Sequence, residues 1–364
     1  MATSRTRSVA VLAAALVAPV LTPVAAQAEA VTTVATGLNN PRGLAFDNHG
    51  TLYVAESGTG GAGPCFPGPE GGDVCFGTSG AIAAIRNGAP DRVITGLPSI
   101  AAADGSQAIG PSDVDFRGGT LLFTVGLGAD PAERAGLPAA GQNAHGWLLR
   151  QQAHGWRQVA DIAGYEATAN PDGGLPDSNP NALVAEPSRT VVADAGGNAV
   201  VTVGANGSIS TLATFADRMV DAPPFLGLPP GAQLPMQAVP TSVAKGPDGA
   251  YYVGELTGFP FQPGAARVWR VTAHSAKVVA SGFTNIIDVG FSGGKLYVLE
   301  IAANGLLSGD PTGALIRVNR DGTKTTVMSD GLIMPGGLTF RNGAAYVSNC
   351  GVCAGGGTVL RIPL

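Results

Sequence analysis

Residues 239–255, VPTSVAKGPDGAYYVGE, have the pattern of one β-hairpin. An apolar strand is followed by a Gly-Pro-Asp-Gly turn at residues 246–249, by a second apolar strand, and by Glu255 where that strand ends. Glycine in such a turn permits the positive φ angles that a tight hairpin needs. The pattern recurs at residues 44–56 (LAFDNHGTLYVAE), 114–125 (VDFRGGTLLFTV), 183–194 (LVAEPSRTVVAD), 289–300 (VGFSGGKLYVLE) and 338–349 (LTFRNGAAYVSN).

The spacing of these six copies predicts the architecture. The residues just before the apolar core of each first strand are separated by 70, 69, 60, 46 and 49 positions. A second hairpin follows in most units, with turns such as Asn87-Gly88 and Asp321-Gly322. Repeats of this kind, with four short strands each, are typical of a β-propeller. We therefore expect an all-β, six-bladed β-propeller.

The two ends of the chain predict how the ring closes. The last unit ends after its third strand, residues 358–362, so its fourth strand is missing. An unpaired strand at residues 31–35 precedes the first unit. Pairing of these two strands would complete the last blade and remove two free sheet edges. Residues 29–364 would then form a single β-propeller domain, and we expect inserted loops at residues 58–80, 130–146, 166–181, 221–237 and 259–264.

Composition excludes one large class of function. Of 364 residues, 13% are charged and 6% are aromatic, with 21 Lys and Arg against 26 Asp and Glu. A net charge of −5 argues against a nucleic-acid partner.

The first 28 residues have the features of an export signal. Arg5 and Arg7 precede an apolar run at residues 9–20, and a small-x-small cleavage site lies at residues 26–28. The run is too short for a membrane anchor, and no other membrane span is evident. We expect a secreted, extracytoplasmic protein with residues 1–28 removed.

Four cysteines lie in two close pairs, Cys65 with Cys75 and Cys350 with Cys353. In an exported protein an even number of cysteines favours two disulfides. A zinc site or a Cys-x-x-Cys redox centre at residues 350–353 remains an alternative, and crossed pairing is not excluded by sequence.

The candidate site lies where the second strand of each unit ends. In a propeller these ends lie on the same face as the connections that enter the first strands, so distant residues gather there. We call the residues at these ends the exit residues: Glu56, Val125, Asp194, Glu255, Glu300 and Asn349. The entering connections add Arg42, Asp113, Asn181 and Asp288 as candidate ligand-binding residues.

Such an oxygen-rich funnel suits a hard cation such as Ca²⁺, or a polyhydroxylated or cationic ligand. Packed carboxylates also raise one another's pKa, so one of them could act as a general base. The alternative is structural, with acids capping turn amides around a water-filled channel. Asp172 and Asp177 lack the spacing of a calcium-binding loop, which favours a plain surface role.

Six segments carry a family resemblance: residues 40–46 (NPRGLAF), 178–180 (SNP), 192–198 (VADAGGN), 239–243 (VPTSV), 254–261 (GELTGFPF) and 283–288 (FTNIID). They are similar to the ScyD/ScyE family, exported propellers associated with biosynthesis of the cyanobacterial sunscreen scytonemin. The resemblance covers essentially the whole mature chain. It implies a secreted six-bladed propeller and no established activity.

Three functions remain open at this stage. The leading hypothesis is a secreted binding or scaffold propeller that holds a small molecule, a cation or an extracellular protein on its acidic face. The second is a calcium-dependent hydrolase or lactonase, for which Glu56, Asn181, Asp194, Asp288 and Glu300 match by position in the blade only. The third is a structural envelope protein. The catalytic and metal-binding residues are unknown, and calcium is the one cofactor considered.

Overall fold

The computed structural model describes residues 1–3, 29–68, 71–153 and 155–364. Residues 4–28, which hold most of the predicted export signal, lie outside this range. The described chain enters the ring with β1 (Thr32–Leu38).

Six four-stranded antiparallel sheets form the blades, and a short extra strand joins the first one. Blade 1 contains β2 (Pro41–Phe46), β3 (Leu52–Glu56), β5 (Asp73–Arg86) and β6 (Ala89–Ala102), with β4 (Cys65–Pro67) as the extra strand. Blade 2 contains β7 (Pro111–Arg117), β8 (Thr120–Val125), β9 (Trp147–Gln151) and β10 (Trp156–Asp161). Blade 3 contains β11 (Pro180–Ala185), β12 (Arg189–Asp194), β13 (Ala199–Gly204) and β14 (Ile209–Thr214).

A two-stranded hairpin precedes blade 4, and we call it the flap hairpin; it comprises β15 (Arg218–Asp221) and β16 (Gln233–Met236). Blade 4 contains β17 (Pro240–Lys245), β18 (Tyr251–Glu255), β19 (Ala266–Thr272) and β20 (Ser275–Phe283). Blade 5 contains β21 (Ile286–Ser292), β22 (Lys295–Glu300), β23 (Ala314–Val318) and β24 (Lys324–Met328). Blade 6 contains β25 (Gly337–Arg341), β26 (Ala344–Asn349) and β27 (Gly357–Pro363), together with β1. The helices are α1 (Ala139–Gln142), α2 (Ile162–Ala169) and 3-10 turns at Pro131–Gly136, Pro224–Leu226 and Leu306–Ser308.

The predicted closure is confirmed. β1 pairs antiparallel with β27, with Thr32 opposite Arg361 and Leu38 opposite Gly357. The N-terminal strand is therefore the fourth strand of blade 6. This pairing covers an edge of β27 that would otherwise expose unpaired backbone groups.

The blades are held together by apolar side chains on both faces of each sheet. Between blades 3 and 4, Val191 and Ala193 pack in one buried cluster with Val243 and Val253. Burying one valine side chain stabilises the fold by roughly 1.5–3 kcal/mol. Strands that are buried on both faces explain why the sequence shows apolar runs rather than strict alternation.

The two faces of the ring differ in the length of their connections. On one face the strands are joined by hairpins of two to five residues, and we call this the turn face. Gly249 in one of these hairpins has a φ of 79°, as the turn chemistry requires. The longer connections, including α1, α2 and the flap hairpin, lie on the opposite face, which we call the elaborated face.

One insertion is more ordered than the sequence indicates. The sequence predicts an inserted, glycine-rich loop at residues 58–80, but β4 lies within this segment and β5 begins at Asp73. Gly77 explains how this is possible, since a side chain there would collide with the backbone of Gly60.

Both cysteine pairs are disulfides, Cys65–Cys75 and Cys350–Cys353. The described residues include no free cysteine. Disulfides of this kind are typical of an oxidising, extracytoplasmic compartment. In the part of the chain that the structure describes, no helix has both the length and the apolar character needed to cross a membrane.

Candidate functional site

The exit residues lie on the elaborated face, as expected, and most of them bond to the connection that enters their own blade. Glu56 is fully buried, and its Oε2 accepts hydrogen bonds from the backbone N of Asn39 and from Arg92, both at 2.8 Å. Glu300 accepts from the backbone N of Thr284 at 2.6 Å. Asn349 accepts from the backbone N of Ile333 at 2.7 Å. These side chains therefore cap amides of the entering connections.

Glu255 has the most complete set of partners. Its Oε1 accepts from Arg267 at 2.8 Å and from the indole Nε1 of Trp269 at 2.6 Å. Its Oε2 accepts from Arg267 at 2.9 Å and from Arg218, on the flap hairpin, at 3.3 Å. Two arginines from this chain thus neutralise a carboxylate with no exposed surface.

The four candidates that the sequence assigned to the entering connections lie instead within the first strands of their blades, because these strands begin earlier than the sequence indicates, and they bond to neighbouring blades: Arg42, Asp113, Asn181 and Asp288. Asn181 of blade 3 donates to the backbone O of Thr241 in blade 4 at 2.6 Å. Arg42 of blade 1 donates to the backbone O of Ala108, ahead of blade 2, at 3.1 Å.

Asp113 and Asp288 lie on innermost strands of opposite blades, 2 and 5. Asp113 accepts from the backbone N of Leu183, and Asp288 from that of Leu338, each in the next blade. Burial raises the pKa of Asp288 to about 7. Burial and the charge of Asp288 raise the pKa of Asp113 well above its usual range. Asp113 is therefore the one of the two whose pKa responds to the other's charge.

Asp194 belongs to a second group of acids that the sequence analysis did not connect. We define the acid cluster as Glu166, Asp172, Asp177 and Asp194. Glu166 lies on α2 and is 2% exposed, and its Oε1 has no hydrogen-bond partner within the described chain. Burial and the charges of the other three acids raise the pKa of Glu166 to about 7.

The backbone between β12 and β13 closes around these acids. Glu166 Oε2 lies 2.8 Å, and Asp194 Oδ2 lies 3.3 Å, from the point where a Cβ would stand on Gly197. Asp194 accepts from the hydroxyl of Ser178 at 2.8 Å, and burial raises its pKa to about 6. None of the nine ion pairs among the described residues involves the acid cluster.

A sequence signal for this cluster exists. Residues 158–188 contain five acids and no Lys, Arg or His. Such a local excess of negative charge is visible without a structure. That the acids come together depends on α2, whose Glu166 packs beside Gly197 in the turn between β12 and β13.

The elaborated face also carries an apolar pocket of about 430 Å³. It lies between the flap hairpin and the connections that follow β18 and β22. We define the aromatic pocket by its main lining residues: Asp221, Pro223, Phe225, Phe261, Gln262 and Asn304. Phe225 is 68% exposed, which leaves much of its ring open to a ligand.

The described residues contain no group of three His, Cys, Asp or Glu side chains that could hold a metal ion. The five side chains considered for a lactonase-type metal site, which are Glu56, Asn181, Asp194, Asp288 and Glu300, bond to separate partners in their own or adjacent blades.

Comparison with known proteins shows the fold. No family model matches the sequence, and no curated protein matches it. A gluconolactonase from Xanthomonas campestris is similar in structure, with a TM-score of 0.52 and 13% identity over 92% of this chain and 89% of that one. An auxiliary nutrient binding protein from Bacteroides thetaiotaomicron has a TM-score of 0.52 and 9% identity over 91% and 75% of the two chains.

A virginiamycin B lyase from Staphylococcus aureus has a TM-score of 0.47 and 12% identity over 92% of this chain and 99% of that one. The two structures with a TM-score of 0.52 show a shared propeller fold, and at 13% and 9% identity they carry no function with them.

Proposed function

We propose that this protein is an extracytoplasmic binding propeller that takes a small, ring-bearing ligand in the aromatic pocket. The observation that carries the proposal is the pocket itself, whose volume of about 430 Å³ falls within the range of small-molecule sites. It lies on the face to which the sequence analysis assigned binding.

The lining determines the class of ligand. Phe225 and Phe261 offer aromatic surfaces against which a ring can pack. Asp221 supplies a carboxylate that accepts hydrogen bonds, so a ligand with hydroxyl or amino groups suits the rim. Ser308 donates its hydroxyl to the backbone O of Gly305, and no histidine is among the described lining residues. This arrangement favours binding over catalysis.

The proposed location and family follow from other observations. The export signal predicted at residues 1–28 and the two disulfides both favour secretion. The resemblance to the ScyD/ScyE family has the same implication and adds no activity. The lactonase alternative rests on position within the blades, since its five side chains bond in separate places.

The test is ligand-observed NMR of the purified mature protein with a set of aromatic amines, phenols and small polyols. We expect ring-bearing members to bind, and Phe225→Ala to weaken their binding about five- to tenfold through loss of an aromatic contact. Phe225 is largely exposed, so the fold should tolerate the change.

Leu175→Ala is the matched control, because Leu175 is 89% exposed on the same face and outside the pocket. Equal binding by Phe225→Ala and the wild type would place the ligand elsewhere. If no compound bound, the proposal would give way to a scaffold that binds an extracellular protein or serves a structural role.

A further inference from the structure

A second cavity lies on the turn face, between blades 2 and 3, and has a volume of about 320 Å³. Three arginines line it, two on the outer strands β9 and β10 and one at the end of β7. We define the arginine pocket by Arg117, Arg150, Arg157, Thr120, Gln158 and Asn206.

The strand register directs two of these arginines to the same side. Arg157 lies directly opposite Arg150 across the β9–β10 pair, and Arg150 lies opposite Leu122 across β8–β9. Residues directly opposite each other in an antiparallel pair project from the same face of the sheet, and like charges in that position repel. Arg150 and Arg157 therefore form a repulsive cross-strand pair at this site.

No acid in the described chain forms an ion pair with these three arginines. The nine ion pairs of the described residues include neither Arg117, Arg150 nor Arg157. Arg117 donates to the hydroxyl of Thr190, yet its Nε and that of Arg150 are buried and have no partner there. Asp115, in the same cross-strand row, already accepts from the backbone N of Ala185 at 2.7 Å.

A guanidinium group keeps its positive charge at every physiological pH, so the repulsion is not relieved by loss of a proton. A buried N–H donor without an acceptor destabilises the fold. An oxyanion would supply acceptors to several guanidinium groups at once and remove their mutual repulsion. The cavity volume of about 320 Å³ leaves room for more than one phosphate ion, and Leu122 and Val159 form an apolar part of its lining.

We propose that the arginine pocket binds a phosphate-class oxyanion, either as a free ion or as the charged group of a larger molecule. The site is independent of the ligand proposed for the elaborated face. Arg117, Arg150 and Arg157 hold the anion, and Asn206 and Thr120 lie at its edge.

The experiment measures the melting temperature of the mature protein against increasing inorganic phosphate or glycerol phosphate, with chloride holding the ionic strength constant. An anion that binds the folded state alone raises the melting temperature in a saturable manner. We expect Arg157→Gln to weaken the apparent affinity about tenfold, because it removes charge-assisted hydrogen bonds. Arg157 is exposed, so this variant should fold.

Arg320→Gln is the matched control, since Arg320 is also exposed, lies on another blade and loses the same charge. Its response should equal that of the wild type. Saturable binding of phosphate alone would indicate a free ion, and tighter binding of glycerol phosphate would indicate a larger ligand. The proposal is overturned if neither compound shifts the melting temperature, or if Arg157→Gln responds as the wild type does.

Discussion

Blades 2 and 3 carry unbalanced negative charge at one end of their interface and unbalanced positive charge at the other. The acid cluster lies on the elaborated face, where α2 runs from blade 2 to blade 3. The arginine pocket lies on the turn face of the same two blades. In neither region do ion pairs within the described chain neutralise the charge.

The two regions differ in how they can relieve that charge. A buried carboxyl group can bind a proton near neutral pH, as the raised pKa of Glu166 indicates. A guanidinium group keeps its charge at every physiological pH. The acid cluster is therefore expected to respond to pH, whereas the arginine pocket is expected to respond to an anion.

Glu255 is the contrasting case, because this buried carboxylate is paired with Arg218 and Arg267. Glu255→Gln would leave Arg218 and Arg267 without a counter-charge, and we expect it to lower the free energy of unfolding by about 3 kcal/mol. Urea denaturation at pH 7 would measure this. A loss below about 1 kcal/mol would mean that the two arginines find other partners.

The same substitution in the acid cluster should act in the opposite direction. The pKa of Glu166 is raised in the folded state, so ionised Glu166 lowers the free energy of unfolding. This loss is absent below the unfolded pKa of about 4.5 and grows as the pH rises to about 7. Glu166→Gln should therefore stabilise the protein by about 1–2 kcal/mol at pH 8 and have little effect at pH 4.5.

Denaturation at both pH values would measure this difference. Glu29→Gln, which removes an exposed acid, is the control and should change stability little at either pH. If Glu166→Gln destabilised the protein at pH 8, the carboxylate would have a stabilising partner at that pH, and the contrast with Glu255 would disappear.

The sequence predicted the ring because its signals are local. The hairpin at residues 239–255 appears as β17 and β18, with its glycine turn between them. The exit residues fall on one face because their position follows from where each strand ends. The partners of these side chains could not be predicted, since Glu56 bonds to Arg92, 36 residues away, and Glu255 to Arg218, 37 residues away.

The acid cluster and the arginine pocket were missed for a related reason. The sequence predicts an inserted loop at residues 166–181, and α2 has no apolar stripe that would mark it as a helix, since Glu166 is buried beside Ile162 and Ala163. The arginine pair depends on the register between β9 and β10, which alternation alone does not establish.

The smallest expected effect concerns Asp113 and Asp288, on the innermost strands of blades 2 and 5. These two acids lie outside the acid cluster and, unlike Glu255, form no ion pair within the described chain. The charge of Asp288 raises the pKa of Asp113, and Asp115, on the same strand as Asp113, contributes less. Asp288→Asn should therefore lower the pKa of Asp113 more than Asp115→Asn does, although Asp115 is only two residues away. Carbon-13 NMR of the Asp113 carboxyl would follow this titration. A larger effect from Asp115→Asn would mean that the charge of Asp288 in blade 5 does not control the titration of Asp113 in blade 2.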